Sequence, residues 1–138
     1  MGVADLGVTR ARRAAAAAAR VEPWLVWAVA LHSVAVGLGL LFAPAWALRF
    51  GGWSAAAGGT LFFIRQAGAF HLAVAAGYVL EYADHRGVVL LCCTKALATV
   101  FLSAMTFAEP GAWAVPFSAL ADALMGVAVL EVHRRASA

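Results

Sequence analysis

The chain has 138 residues, of which 64% are hydrophobic and only 12% charged, and it carries a net charge of +3. Its mean hydropathy is +0.88. A water-soluble domain is about 45–50% apolar and roughly 25% charged, so these figures exclude a soluble enzyme, a disordered tail, a disulfide-rich secreted module and a nucleic-acid-binding domain.

Residues 1–22 are rich in alanine and arginine, with Arg10, Arg12, Arg13 and Arg20. Their stretch 9–21 is expected to form a short helix at an anionic membrane surface or else a frayed low-complexity tail. Pro23 stands where a first-turn proline is tolerated. It precedes the first of four apolar runs, each near the ~20 residues that a helix needs to cross ~30 Å of hydrocarbon. This run, residues 24–43, has no formal charge. It exceeds the 7–15 apolar residues of a signal peptide, so it is expected to be retained as a span. Pro44, Gly51-Gly52 and Gly58-Gly59 mark a connection. Residues 57–81 form the second run and contain Arg65, Gln66 and His71, and residues 82–87 make a polar turn. The third run, residues 88–107, carries Lys95 and the adjacent Cys92 and Cys93. That cysteine spacing suits no metal and reads as buried filler. After Glu109-Pro110-Gly111 comes the fourth run, residues 113–132, with Pro116 in its first turn and Asp122 inside.

In lipid, backbone polar groups must be satisfied within the segment, so helix is the default, and the alternating segments of about 10 residues that a barrel needs do not occur. The short connections predict an all-α integral membrane protein, an up-down four-helix bundle. It divides into an N-terminal segment (1–22), a bundle of four transmembrane helices (23–133) and a basic tail (134–138). Arg10, Arg12, Arg13, Arg20, Arg86, Arg134 and Arg135 share one side of this plan, against Arg49 on the other. That bias predicts both termini in the cytoplasm and a multi-pass protein of the plasma (inner) membrane. Trp24, Trp27, Trp46, Trp53 and Trp113 lie near span ends, as an interfacial belt does.

Charges inside a bilayer cost roughly 2.5–3.5 kcal/mol each at a helix centre, so they face the bundle interior and find partners. At 1.5 Å per residue, His32 and Lys95 lie about 12 Å in, Asp122 about 15 Å and His71 about 16 Å. One ionisable side chain from each helix thus falls in a single layer. Helical periodicity aligns Cys92, Lys95, Thr99 and Thr106 on one stripe, Ser118, Asp122 and Met125 on another, and His71 with Tyr78 on a third. His32 lies near Val36 and Gly39, where small residues leave room for a neighbour. These stripes are expected to line a polar pocket, closed by Phe62, Phe63, Phe70, Phe101 and Phe117 unless those rings face lipid. The plainer expectation is a Lys95–Asp122 ion pair, braced by His71 and His32, that sets helix register. Arg65, about 25 Å up, is placed to snorkel or, with Gln66, to bind a polar headgroup at the pocket mouth. His85, His133 and Glu131 are expected to be solvated, and Glu81 to be an interfacial carboxylate or, with Tyr78, an end cap of the pocket. His32, His71 and Asp122 are potential metal ligands, but Lys95 in their layer repels a cation and no paired ligand spacing occurs, so neither metal nor cofactor is expected.

The second span, Arg65-Gln66-Ala67-Gly68-Ala69-Phe70 leading to Gly77, is similar to the Arg-x-x-Gly…Gly helix of the DoxX-like superfamily of small four-span bacterial membrane proteins. Tyr78 to Glu81 stand where that family carries a lysine. The resemblance implies a redox-associated or quinone-linked accessory membrane protein.

Three functions are open at this point. The first is a binding module for a lipophilic small molecule, quinone- or isoprenoid-like, held by His32, Arg65, Gln66, Tyr78, Thr99 and Ser118. The second is an intramembrane isomerase or cyclase, with Asp122 as general acid or base, His71 as its partner and Lys95 stabilising developing negative charge. The third is a proton-linked small transporter, although no inverted repeat relates residues 24–81 to 88–132. The expected partners are the bilayer, the lipophilic molecule, and a second copy or another membrane subunit; nucleic acid is not among them.

Overall fold

In a computed structural model, residues 3–54 and 58–138 are described; they form five helices and contain no strand. These are α1 (Val3–Phe42), α2 (Pro44–Phe50), α3 (Gly58–His85), α4 (Val89–Ala108) and α5 (Ala114–Ala136). All but α2 are long and apolar enough to cross a membrane. Their ends follow local chemistry. Ala43 precedes a proline, a position that disfavours helix, and Pro44 restarts the chain as the first turn of α2. Glu109, also before a proline, ends α4. Pro116 falls in the first turn of α5, where its missing N–H would have had no partner anyway.

Pro23 does not begin a helix. It lies inside α1, which runs unbroken for 40 residues, about 60 Å. The ring removes one hydrogen bond, to the carbonyl of Ala19, and the helix continues because the fixed proline φ is itself helical. The arginine-rich stretch is therefore collinear with the first span. Beyond Ala18, which is buried, the helix extends about 22 Å further toward the N-terminus. The connection after the first span also holds α2, which the sequence did not announce. Phe50 of α2 stacks on Trp46 at 5.2 Å and meets Trp113 edge-on at 5.2 Å, and the Trp113 indole donates to the Phe50 carbonyl at 2.6 Å.

The long helices pack in the spatial order α3, α1, α5, α4. The widest contact is α1 with α3, followed by α4 with α5 and α1 with α5, while α3 and α4 barely touch. The bundle is therefore open along one side. The inward stripe of α1 is Val26, Val29, Ala30, Ser33 and Gly37, a 3.6-residue repeat. The buried core joins that stripe to Tyr78 and Tyr82 of α3, Leu91 of α4 and Val129 of α5, all toward the end that carries both termini. Toward the other end, no side chain of α4 from Ala96 onward is buried, and none of α3 from Gly59 to Ala67. Large apolar side chains such as Phe42, Phe62, Phe63, Leu97, Phe107 and Leu124 are more than half exposed. A surface this apolar on every long helix suits lipid rather than water.

The contact between α1 and α3 depends on two glycines. A Cβ at Gly68 would lie 2.7 Å from the Gly37 carbonyl oxygen and 2.8 Å from the Leu41 nitrogen, so the two backbones themselves are in contact. The Arg-x-x-Gly segment thus has a packing role through its glycine.

The turn after α3 has an unusual cap. Arg86 adopts φ 52°, and its N–H bonds the Tyr82 carbonyl at 3.0 Å, the left-handed helix cap that glycine normally supplies. An arginine there costs roughly 1–2 kcal/mol in backbone strain, although Gly87 follows immediately. Glu81 then caps the next helix. Its two carboxylate oxygens accept the N–H groups of Val89 at 3.0 Å and Leu90 at 2.9 Å, at the positive end of α4. Glu81 thus serves a helix end and not, with Tyr78, an end of the pocket. Glu81→Ala is expected to cost about 1 kcal/mol, as loss of a cap does, and to lower the thermal midpoint. Glu81→Gln, which keeps one acceptor oxygen, should lose less in the same measurement.

Candidate functional site

Lys95 and Asp122 meet. The Lys95 Nζ donates to Asp122 Oδ1 at 2.6 Å, and the two side chains are only 5% and 13% exposed. Lys95 is on α4 and Asp122 on α5, so the bond ties together the two helices of the last hairpin. Space for the lysine comes from Gly126, one turn after Asp122 on the same face of α5. A Cβ at Gly126 would lie 3.2 Å from the Lys95 Cβ, so the lysine stem crosses α5 there to reach the carboxylate. Sequence reasoning missed Gly126; its spacing of four from Asp122 was the available signal.

His71 and His32 lie close enough to Lys95 and Asp122, and to each other, for their charges to act on one another. The four ionisable groups expected in one layer are thus near one another. Neither imidazole bonds the pair among the described residues, so the bracing role expected of them is not seen. His71 is half-buried on the α3 face that meets α1, its Cβ 3.1 Å from where a Cβ of Gly37 would be. His32 is exposed, because Ser33, its neighbour, occupies the inward stripe of α1 and one residue turns a helix by about 100°. The layer comprises a buried ion pair, a half-buried imidazole and an exposed one.

The other candidates divide similarly. Tyr78 is 2% exposed and lies beside the Thr94 side chain of α4. Thr99 and Thr106 are half-buried on the same α4 stripe as Lys95, but their hydroxyls donate to the carbonyls of Lys95 at 2.7 Å and Leu102 at 3.0 Å. What they retain for a ligand is acceptor capacity. Ser118 is half-buried one turn before Asp122 on α5. Arg65 and Gln66 are exposed on α3 and make no side-chain bond among the described residues. Phe62, Phe63, Phe70, Phe101 and Phe117 are all about 60% exposed and do not close a pocket. Cys93, expected to be buried, is exposed beside the half-buried Cys92. His133, expected to be solvated, bonds Glu22 at 2.5 Å and fastens the end of α5 to α1, whereas Glu131 pairs locally with Arg135 at 2.7 Å.

The half-buried polar groups on the neighbouring helices are His71 of α3, Thr99 of α4 and Ser118 of α5, and α3 and α4 make few contacts with each other. No group of three or more His, Cys, Asp or Glu able to hold a metal occurs among the described residues. No family model, curated protein or solved structure matches this chain.

Proposed function

We propose that this chain is an integral membrane protein of the plasma (inner) membrane, with both termini cytoplasmic, that holds a lipophilic small molecule with a polar head between α3 and α4. The observation that carries this reading is a buried ion pair among apolar helices, two of which, α3 and α4, make few contacts with each other. A ligand of quinone or isoprenoid type would lay its hydrocarbon between α3 and α4 and direct its polar head to Lys95, Asp122 and His71. A buried ammonium and carboxylate together offer a donor and an acceptor in a low-dielectric setting, where each hydrogen bond is stronger than in water. The cytoplasmic placement of the termini rests on the seven arginines at their end against Arg49. A redox-associated accessory role accords with the resemblance of the second span to the DoxX-like helix.

The acid–base enzyme gains no support of its own, because no bond links His71 to Asp122 among the described residues. The binding reading is tested on protein extracted from membranes without detergent exchange. Mass spectrometry of the bound lipids should recover one polar-headed isoprenoid or quinone at about one per chain. The double variant Lys95→Met/Asp122→Leu, isosteric and uncharged, should lose it while remaining folded. Equal recovery from that variant, or bulk phospholipid alone from the original protein, would overturn the proposal.

A further inference from the structure

A second, separate cleft lies between α1 and α3 at the end that carries the termini. It measures about 220 Å³, and Val26, Val79 and Tyr82 line it, with Pro23, Trp27 and Arg86 beside them. We propose that this cleft binds the phosphodiester of an anionic phospholipid, with Arg86 as the principal ligand.

Four observations converge on that chemistry. The Arg86 guanidinium sits over the Tyr82 ring, 5.2 Å from its centroid, and its Nη1 donates to the Tyr82 hydroxyl at 3.3 Å. No carboxylate pairs with it among the described residues, so most of its fixed fork of donors is unengaged, and that fork matches phosphate oxygens. The side chain is held there by backbone in the left-handed region, where glycine would be easier and stands one residue later. A strained, non-glycine cap that aims a cation at a cleft is the kind of outlier that marks a binding site. Finally, Arg20 is exposed and lies one turn before Pro23, on the same side of α1 as Pro23 and Trp27 of the cleft, at spacings of three and seven.

The apolar half of the cleft selects a lipid over a free anion. Val26 and Val79 offer hydrocarbon to an ester or acyl segment, and the exposed indole of Trp27 is suited to the boundary between headgroup and chain. Phosphate at the arginines and acyl chain along α1 and α3 can be satisfied together only by a phospholipid. The site is distinct from the Lys95–Asp122 pair, and its test does not depend on that reading.

The backbone strain supplies an unusually clean test. Arg86→Gly removes the guanidinium and at the same time relaxes the cap, so the variant should fold and melt at the same or a higher temperature. Native mass spectrometry of the full chain, delipidated and titrated with phosphatidylglycerol or phosphatidylcholine, should show preferential retention of phosphatidylglycerol. Arg86→Gly should weaken that retention about tenfold and leave phosphatidylcholine unchanged, and Arg20→Gln should weaken it less. Millimolar inorganic phosphate should fail to displace the lipid. Equal retention of the two lipids by the original protein, undiminished phosphatidylglycerol binding by Arg86→Gly, or displacement by inorganic phosphate would each overturn the proposal.

Discussion

Gly68→Val is expected to separate α1 from α3. Atoms added at this position meet backbone, the Gly37 oxygen at 2.7 Å and the Leu41 nitrogen at 2.8 Å from Cβ alone, and backbone cannot rotate away as a side-chain tip can. Relief requires moving one helix axis relative to the other. Overpacking a core costs about 1–3 kcal/mol where side chains can adjust, and this site lacks that adjustment, so the loss should lie at or above the top of that range. The effect is magnified because α3 has no comparable partner: its contact with α4 is slight. Thermal unfolding followed by circular dichroism should show a large fall in midpoint for Gly68→Val. Gly39→Ala, where nothing lies within 4 Å of the added carbon, should be nearly neutral. Similar midpoints for the two variants would show that the close approach does not hold the helices together.

Breaking the Lys95–Asp122 pair from one side should be nearly as damaging, and removing both partners should not. Lys95→Met leaves a carboxylate buried beside α4 without its counter-ion, and Asp122→Leu leaves an ammonium that is 5% exposed. Deleting one member of a buried pair costs about 3–5 kcal/mol, whereas replacing both with apolar residues of similar volume is often neutral or stabilising. The double variant should therefore recover most of the stability that either single change removes, which is a strongly non-additive cycle. Additive losses would mean that the two charges act independently of each other. Recovery of stability together with loss of ligand would separate the pair's binding role from its structural one.

Much of this architecture is legible in the sequence because length and apolarity sufficient to cross a membrane are properties of runs of residues. The apolar stretches at 24–43, 57–81, 88–107 and 113–132 match the spans of α1, α3, α4 and α5 closely, apart from the N-terminal extension of α1. Lys95 and Asp122 could be matched by height alone, since rise per residue is fixed and two opposite charges among apolar helices seek each other. Azimuth was harder to read. A depth count places His32 at the right level but cannot show that Ser33 takes the inward position, because the inward face of α1 is decided by where α3 and α5 lie. Short connections suggested that each helix packs on the next, yet α3 packs on α1 and hardly on α4. The deciding residues, Gly37 and Gly68, are small and lie on different helices, so hydropathy does not register them. Pro23 was read as a boundary because proline usually is one, but only one hydrogen bond is lost and the φ it requires is already helical. Glu81 looked like a surface charge because the N–H groups it accepts, those of Val89 and Leu90, belong to the next helix.

The central place of α1 has a consequence for how the chain is built. It is synthesised before α3, α4 and α5, and both α3 and α5 pack on it, whereas α4 has its principal partner in α5. When α3 emerges, its partner is already in place, and the lasting contact reaches back across α2 rather than forward to α4. The α4–α5 hairpin can then form from adjacent sequence and join through α5, with Glu22 and His133 closing one end. Assembly thus runs in two stages, α3 onto α1 and then a preformed pair onto α1. A chain that begins after Phe42 should retain the hairpin and leave α3 without a partner.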